Sequence, residues 1–101
     1  MTNLEGDWRV ERLGGLLPPM IGVWKRIRGE RGQTRIGPFR PGAPFRLVQR
    51  REGYVALVYR PPLWGLVDEL RAEADGSWSG QAMLGRHELG RFRMIRRGRT
   101  A

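Results

Sequence analysis

The sequence predicts an all-β domain, a small antiparallel, mostly up-and-down barrel of about eight strands. Three observations carry this reading. Short runs in which apolar and polar residues alternate follow one another from Gly6 to Arg97, as half-buried strands do. Gly and Pro cut these runs at the spacing of turns. Glu52-Gly53 then joins two β-rich arms in the clearest hairpin of the chain. The runs are Trp8–Arg12, Ile21–Arg28, Gln33–Ile36, Phe45–Arg51, Tyr54–Arg60, Leu66–Ala72, Ser77–Leu84 and Arg91–Arg97. A chain of 101 residues has enough apolar surface for one core, so residues 1–101 are read as one domain with 1–5 and 98–101 frayed.

In the first run Trp8 and Val10 point to one face and Arg9 and Glu11 to the other, because side chains alternate along a strand. Gly14-Gly15-Leu16-Leu17-Pro18-Pro19 reads as a loop, since Pro lacks the N–H that a ladder requires. The second run sets Ile21, Val23 and Ile27 on one side, with Lys25 interrupting that stripe. Trp24, Arg26 and Arg28 stand opposite, where guanidinium groups would shield the indole.

Gly29–Gly32 is a turn into the short polar strand Gln33–Ile36, and Gly37–Pro44 is the most irregular stretch. Phe45–Arg51 and Tyr54–Arg60 form the hairpin. Its second arm is apolar on both faces, which marks a strand covered on each side or one lining a cavity. Pro61-Pro62 breaks the ladder and leaves Trp64 as an exposed aromatic. Leu66–Glu73 has some helical periodicity through Leu66 and Leu70. A helix there would leave the strand from Trp78 without an antiparallel neighbour, so it is read as a strand. Gly85–Glu88 is read as a turn, and Leu89–Arg97 closes the chain.

The bulk composition narrows the function classes. There is no Cys, hence no disulfide framework, thiolate nucleophile or zinc knuckle, and a cytoplasmic location is expected. No run approaches a membrane span, and the first residues lack a basic and apolar leader pattern. The formal charge of +9 suggests a polyanionic partner. Lys25 is the only Lys, however, and an excess of Arg over Lys also follows from codon bias alone. The arginines are spread over most strands, as solvated outward positions would be. Trp24 with Lys25, Arg26 and Arg28, and Tyr59 with Arg60 and Trp64, come nearest to the interleaved aromatics and cations of a nucleic-acid face, but Trp24 and Tyr59 read first as core or rim residues.

An enzyme needs several converging groups, and one His, three Asp and seven Glu, mostly in turns or at outward positions, supply few. No nucleophile elbow, phosphate loop or zinc-protease spacing occurs. His87 between Arg86 and Glu88 reads as a surface-turn residue and not as a metal or haem ligand. No catalytic residue, metal ligand or cofactor is assigned.

The two ends of the chain resemble the lipocalin, or calycin, arrangement. Gly6-Asp7-Trp8 opens the first strand as a G-x-W, and Gly90-Arg91-Phe92-Arg93-Met94 brings arginines to the last. The resemblance implies that Arg91 or Arg93 stacks on Trp8 and closes one barrel end. From Phe45 to Arg97 the order of strands is also similar to that of small bacterial lipocalin-like domains. The implied function is non-enzymatic binding of a small apolar or amphipathic ligand. Val10, Val23, Leu47, Ala56, Val58, Trp78 and Phe92 would line its cavity, with Tyr54 at the mouth. Ala56, Gly80 and Ala82 would leave room for it; Trp8, Trp78 and Phe92 could equally fill the space. The alternatives are a basic interaction module that binds nucleic acid or an acidic protein through surface arginines, and an oligomer subunit joined by a strand edge or Trp64.

Overall fold

A computed structural model describes residues 4–16, 22–36, 39–61 and 63–97. Eight strands follow one another in chain order: β1 Gly6–Gly15, β2 Val23–Arg28, β3 Arg31–Ile36, β4 Phe39–Arg51, β5 Tyr54–Tyr59, β6 Leu66–Ala72, β7 Trp78–Leu84 and β8 His87–Arg96. Each pairs antiparallel with the next, and β8 pairs back onto β1 to close the barrel. Closure leaves no free strand edge, which removes the commonest route to edge-to-edge association. The predicted strand over Leu66–Ala72 is present with the same bounds, and there is no helix among the described residues.

The differences lie at strand ends. Gly14 and Gly15, read as loop, continue β1 past a bulge between Arg12 and Gly14 and pair with Arg91 and Gly90. There Gly15 takes a left-handed conformation (φ 83°) with Gly90 Cα directly beneath it, a position no side chain fits. His87 and Glu88, read as turn, pair with Leu84 and Met83. β4 begins at Phe39, before the predicted Phe45, and its register against β3 slips between Thr34 and Ile36. Pro44 stays within the ladder through its carbonyl, which accepts the Arg60 N–H at 3.0 Å. Ile21, predicted to open β2, and 98–101, predicted to fray, lie outside the described residues. At the other terminus Leu4 is buried, so the predicted fraying does not extend that far.

The hydrophobic interior comes from one side of β1, β2 and β4 to β8, with Leu4 added from the segment before β1. Trp8, Ile27, Phe45, Leu57, Leu70 and Met94 are its largest fully buried side chains. Each residue between them along a strand faces out, which carries the arginines to the surface.

Candidate functional site

Of the residues expected to line a cavity, Val10, Trp78 and Phe92 belong to the buried core, and Val23 and Leu47 pack against it. Tyr54, Ala56 and Val58 do not face the interior. Val55, Leu57 and Tyr59 supply the inward side of β5, so the alternating three lie on its other face, opposite Arg71, Glu69 and Val67 of β6, where Ala56 is fully buried and Tyr54 and Val58 half-buried. Arg51 covers the Tyr54 ring, its guanidinium carbon 4.2 Å from the centroid. With both faces of β5 apolar, alternation alone could not show which one turns inward.

The interior is occupied by rings seated on glycines. A Cβ at Gly32 would lie 2.7 Å from the Phe45 ring, and one at Gly80 would collide with the Phe92 ring. Phe45 also meets Tyr59 edge to face, with centroids 5.4 Å apart. Gly80 thus makes room for the Phe92 ring. A depression of about 300 Å³ is bordered by Tyr54 of β5, Leu70 and Arg71 of β6, Gly80 and Gln81 of β7 and Arg91 of β8.

One end is closed by Trp8 and Arg96. The indole N–H donates to the Leu4 carbonyl at 2.8 Å. The Arg96 guanidinium lies 4.2 Å from the indole centroid and donates to the Glu5 carbonyl at 2.6 Å. The cation over Trp8 is thus Arg96, and not the expected Arg91 or Arg93. Phe92 and Met94 are buried, so Arg91 and Arg93 point outward and pair with Glu88 and Glu11. Arg96 shares the inward side and lies opposite Trp8 in register.

The interior also holds a polar cluster that the sequence reading missed. Lys25 Nζ donates to Thr34 Oγ1 at 2.6 Å and to Tyr59 OH at 2.7 Å, and lies 3.1 Å from Asp68 Oδ2. Tyr59 OH donates to Asp68 Oδ2 at 2.9 Å and lies 2.6 Å from Thr34 Oγ1. The three ammonium protons therefore have three acceptors. The rings of Phe92, Tyr59 and Phe45 surround Nζ at 5.3, 5.5 and 5.7 Å. Burial pushes the Lys25 ammonium toward deprotonation, but the Asp68 charge and the Tyr59 contacts together outweigh it, and the net direction is up. Burial raises the Tyr59 phenol to about 12 against the opposing pull of Lys25. The cluster is sequestered inside the barrel, with Lys25 and Asp68 both buried, and it ties β2, β3, β5 and β6 together. Its one signal in the sequence was Lys25 on an otherwise apolar stripe.

Outside the barrel six arginines pair with carboxylates among the described residues. Arg9–Glu11, Arg26–Asp7, Arg50–Glu69, Arg71–Glu73, Arg91–Glu88 and Arg93–Glu11 lie at 3.0 to 3.4 Å. Arg28, Arg31 and Arg46 differ. They are exposed, they stand directly opposite one another on β2, β3 and β4, and no described carboxylate pairs with any of them. Like charges in adjacent cross-strand positions repel, so the row is an unneutralised cationic ridge. Trp24, half-buried on the same flank, is packed by Arg97, Arg26 and Arg35 at 4.9, 5.1 and 5.4 Å, the shielding its surroundings predicted. His87 is exposed at the start of β8, and among the described residues no three metal-ligating side chains are gathered.

Comparisons with protein-family models, curated proteins and solved structures return no match for this chain.

Proposed function

We propose that this protein is a non-enzymatic interaction module on a lipocalin-like barrel, which engages a polyanionic partner through its outward arginines. The observation that carries the reading is the in-register row Arg28, Arg31 and Arg46 without carboxylates. Neighbouring strands lie about 5 Å apart, so the row concentrates three like charges on one short stretch of surface, where a chain of anions gains from every contact and relieves their repulsion. The chain order of the strands and the Trp8–Arg96 closure support the lipocalin-like reading. A small apolar ligand inside the barrel, the function that resemblance implies, would have to displace Phe45 or Phe92 from their glycine seats. A cytoplasmic setting, where small domains without cysteine are ordinary, completes the reading.

The test is binding of a fluorescent single-stranded oligonucleotide across a salt series. Arg28→Gln/Arg31→Gln/Arg46→Gln is compared with Arg50→Gln/Arg71→Gln/Arg91→Gln, which removes the same charge from paired positions. The first is expected to lose about tenfold or more in affinity and to flatten the salt slope by about two to three, while the second changes little. Equal losses would show that net charge alone binds and overturn the assignment to this row.

A further inference from the structure

The exposed large apolar side chains gather at one end of the barrel. β1, β5 and β7 finish there and β2, β6 and β8 begin. Leu16 follows β1, Leu63 and Trp64 precede β6, and Leu84 ends β7, with Leu13 just behind the rim. Leu16 is 86% and Trp64 76% exposed. The opposite end, closed by Trp8 and Arg96, has no exposed large apolar side chain among the described residues.

Carboxylates follow the same axis. The connections and terminal segments at the closed end carry Glu5, Glu30, Glu52, Glu73 and Asp75 together with Arg97, and Arg28 and Arg31 border Glu30 there. Among the described residues the connections at the apolar end carry no carboxylate but do carry Arg60 and Arg86, both exposed and neither in an ion pair. Glu88, two residues after Arg86, is engaged by Arg91 and Gln81.

We infer that this apolar, cationic end docks onto an anionic lipid bilayer surface. A bilayer offers in one partner the two things the rim needs, hydrocarbon for leucines and negative headgroups for arginines, and an indole beside them suits the water–lipid boundary. A nucleic acid would leave Leu16, Leu63 and Leu84 without apolar cover. A second copy docked end to end would bring Arg60 and Arg86 against their own likeness. The carboxylates at the far end would face away from the membrane. This inference is independent of the ridge on the β2–β4 flank and uses other residues.

The experiment is co-sedimentation with phosphatidylcholine vesicles, with and without phosphatidylglycerol, combined with tryptophan quenching by brominated lipid. Binding to the anionic vesicles is expected, with quenching that Trp64→Phe removes while Trp8, Trp24 and Trp78 remain as emitters. Leu63→Ser/Trp64→Ser and Arg60→Gln/Arg86→Gln should each weaken binding about tenfold or more. All four positions are exposed, so the fold is retained, which circular dichroism checks. No binding to anionic vesicles, no quenching at Trp64, or binding indifferent to both pairs would overturn the inference. So would a concentration-dependent mass abolished by Trp64→Ser, which would assign the rim to a second copy. Loss of vesicle binding through Arg28→Gln/Arg31→Gln/Arg46→Gln alone would move the contact to the flank and overturn docking by this end. An intact oligonucleotide response beside failed vesicle binding would leave the proposed function standing and sink only the membrane inference.

Discussion

Lys25 and Asp68 face each other across the interior of the barrel, Nζ 3.1 Å from Oδ2, with both side chains only 4% exposed. They come from β2 and β6, on opposite sides of the ring. A charge pair removed from water this completely contributes less than its Coulomb attraction suggests, because both ions lose hydration. Breaking it is a different matter, since the survivor is left charged and unpartnered.

Lys25→Met or Asp68→Leu alone should therefore cost about 3–5 kcal/mol, while the double variant should recover most of that loss. Urea denaturation of the four proteins measures the coupling. Additive single and double effects would show that the two charges do not depend on each other.

The same cluster sets the response to alkali. Tyr59 holds its proton to about 12 against an ordinary 10.0, and the folded state raises Lys25 above its ordinary 10.5. In both cases the folded protein binds protons that the unfolded chain has already released. Their stabilisation is complete below about pH 10 and is lost as pH rises from there. The melting temperature should fall progressively above pH 10. In Tyr54→Phe, where Tyr59 is the only tyrosine, phenolate absorbance should appear near pH 12. Phenolate formation near pH 10 in the still-folded variant would contradict the burial of this hydroxyl.

Closure of the barrel end by Arg96 makes a selective prediction. Arg96→Gln removes the stacked cation over Trp8 and a charge-assisted hydrogen bond to Glu5, and should cost about 1–2 kcal/mol. Arg91→Gln and Arg93→Gln remove only surface pairs and should stay within about 0.5 kcal/mol of the parent. Thermal denaturation of the three variants ranks them. A larger loss at Arg93 than at Arg96 would reverse the assignment.

Gly80 and Phe92 test whether the barrel is filled. Gly80→Ala should destabilise by about 1–3 kcal/mol through collision with the ring, and Phe92→Leu in that background should restore part of it. Phe92→Ala should open a dry apolar space that takes up an environment-sensitive apolar probe, whereas the parent protein should not. Saturable, salt-insensitive probe binding by the parent would revive the interior-ligand reading.

The strand pattern and much of the core were legible because a period of two is a local property. Trp8, Val10, Trp78 and Phe92 could be assigned to the inward side from their own neighbours. Tyr54, Ala56 and Val58 could not, because a strand apolar on both faces has no polar marker of its outside; here Arg51 and neighbouring strands cover it.

Closure into a ring decided the rest. The register of β1 on β8 sets Arg96 opposite Trp8, and no pattern within either strand reports that pairing. Lys25 looked like an interruption because its partner lies 43 residues away on the far wall. Leu16, Trp64 and Leu84 belong to separate connections and share a rim only because antiparallel closure returns every second turn to the same end. The sequence by itself determined strand alternation and the supply of cations, since both depend on neighbouring residues. The tertiary structure decided which distant charges meet, which arginine closes the barrel and which end is apolar, because those depend on pairings between strands that chain proximity does not set.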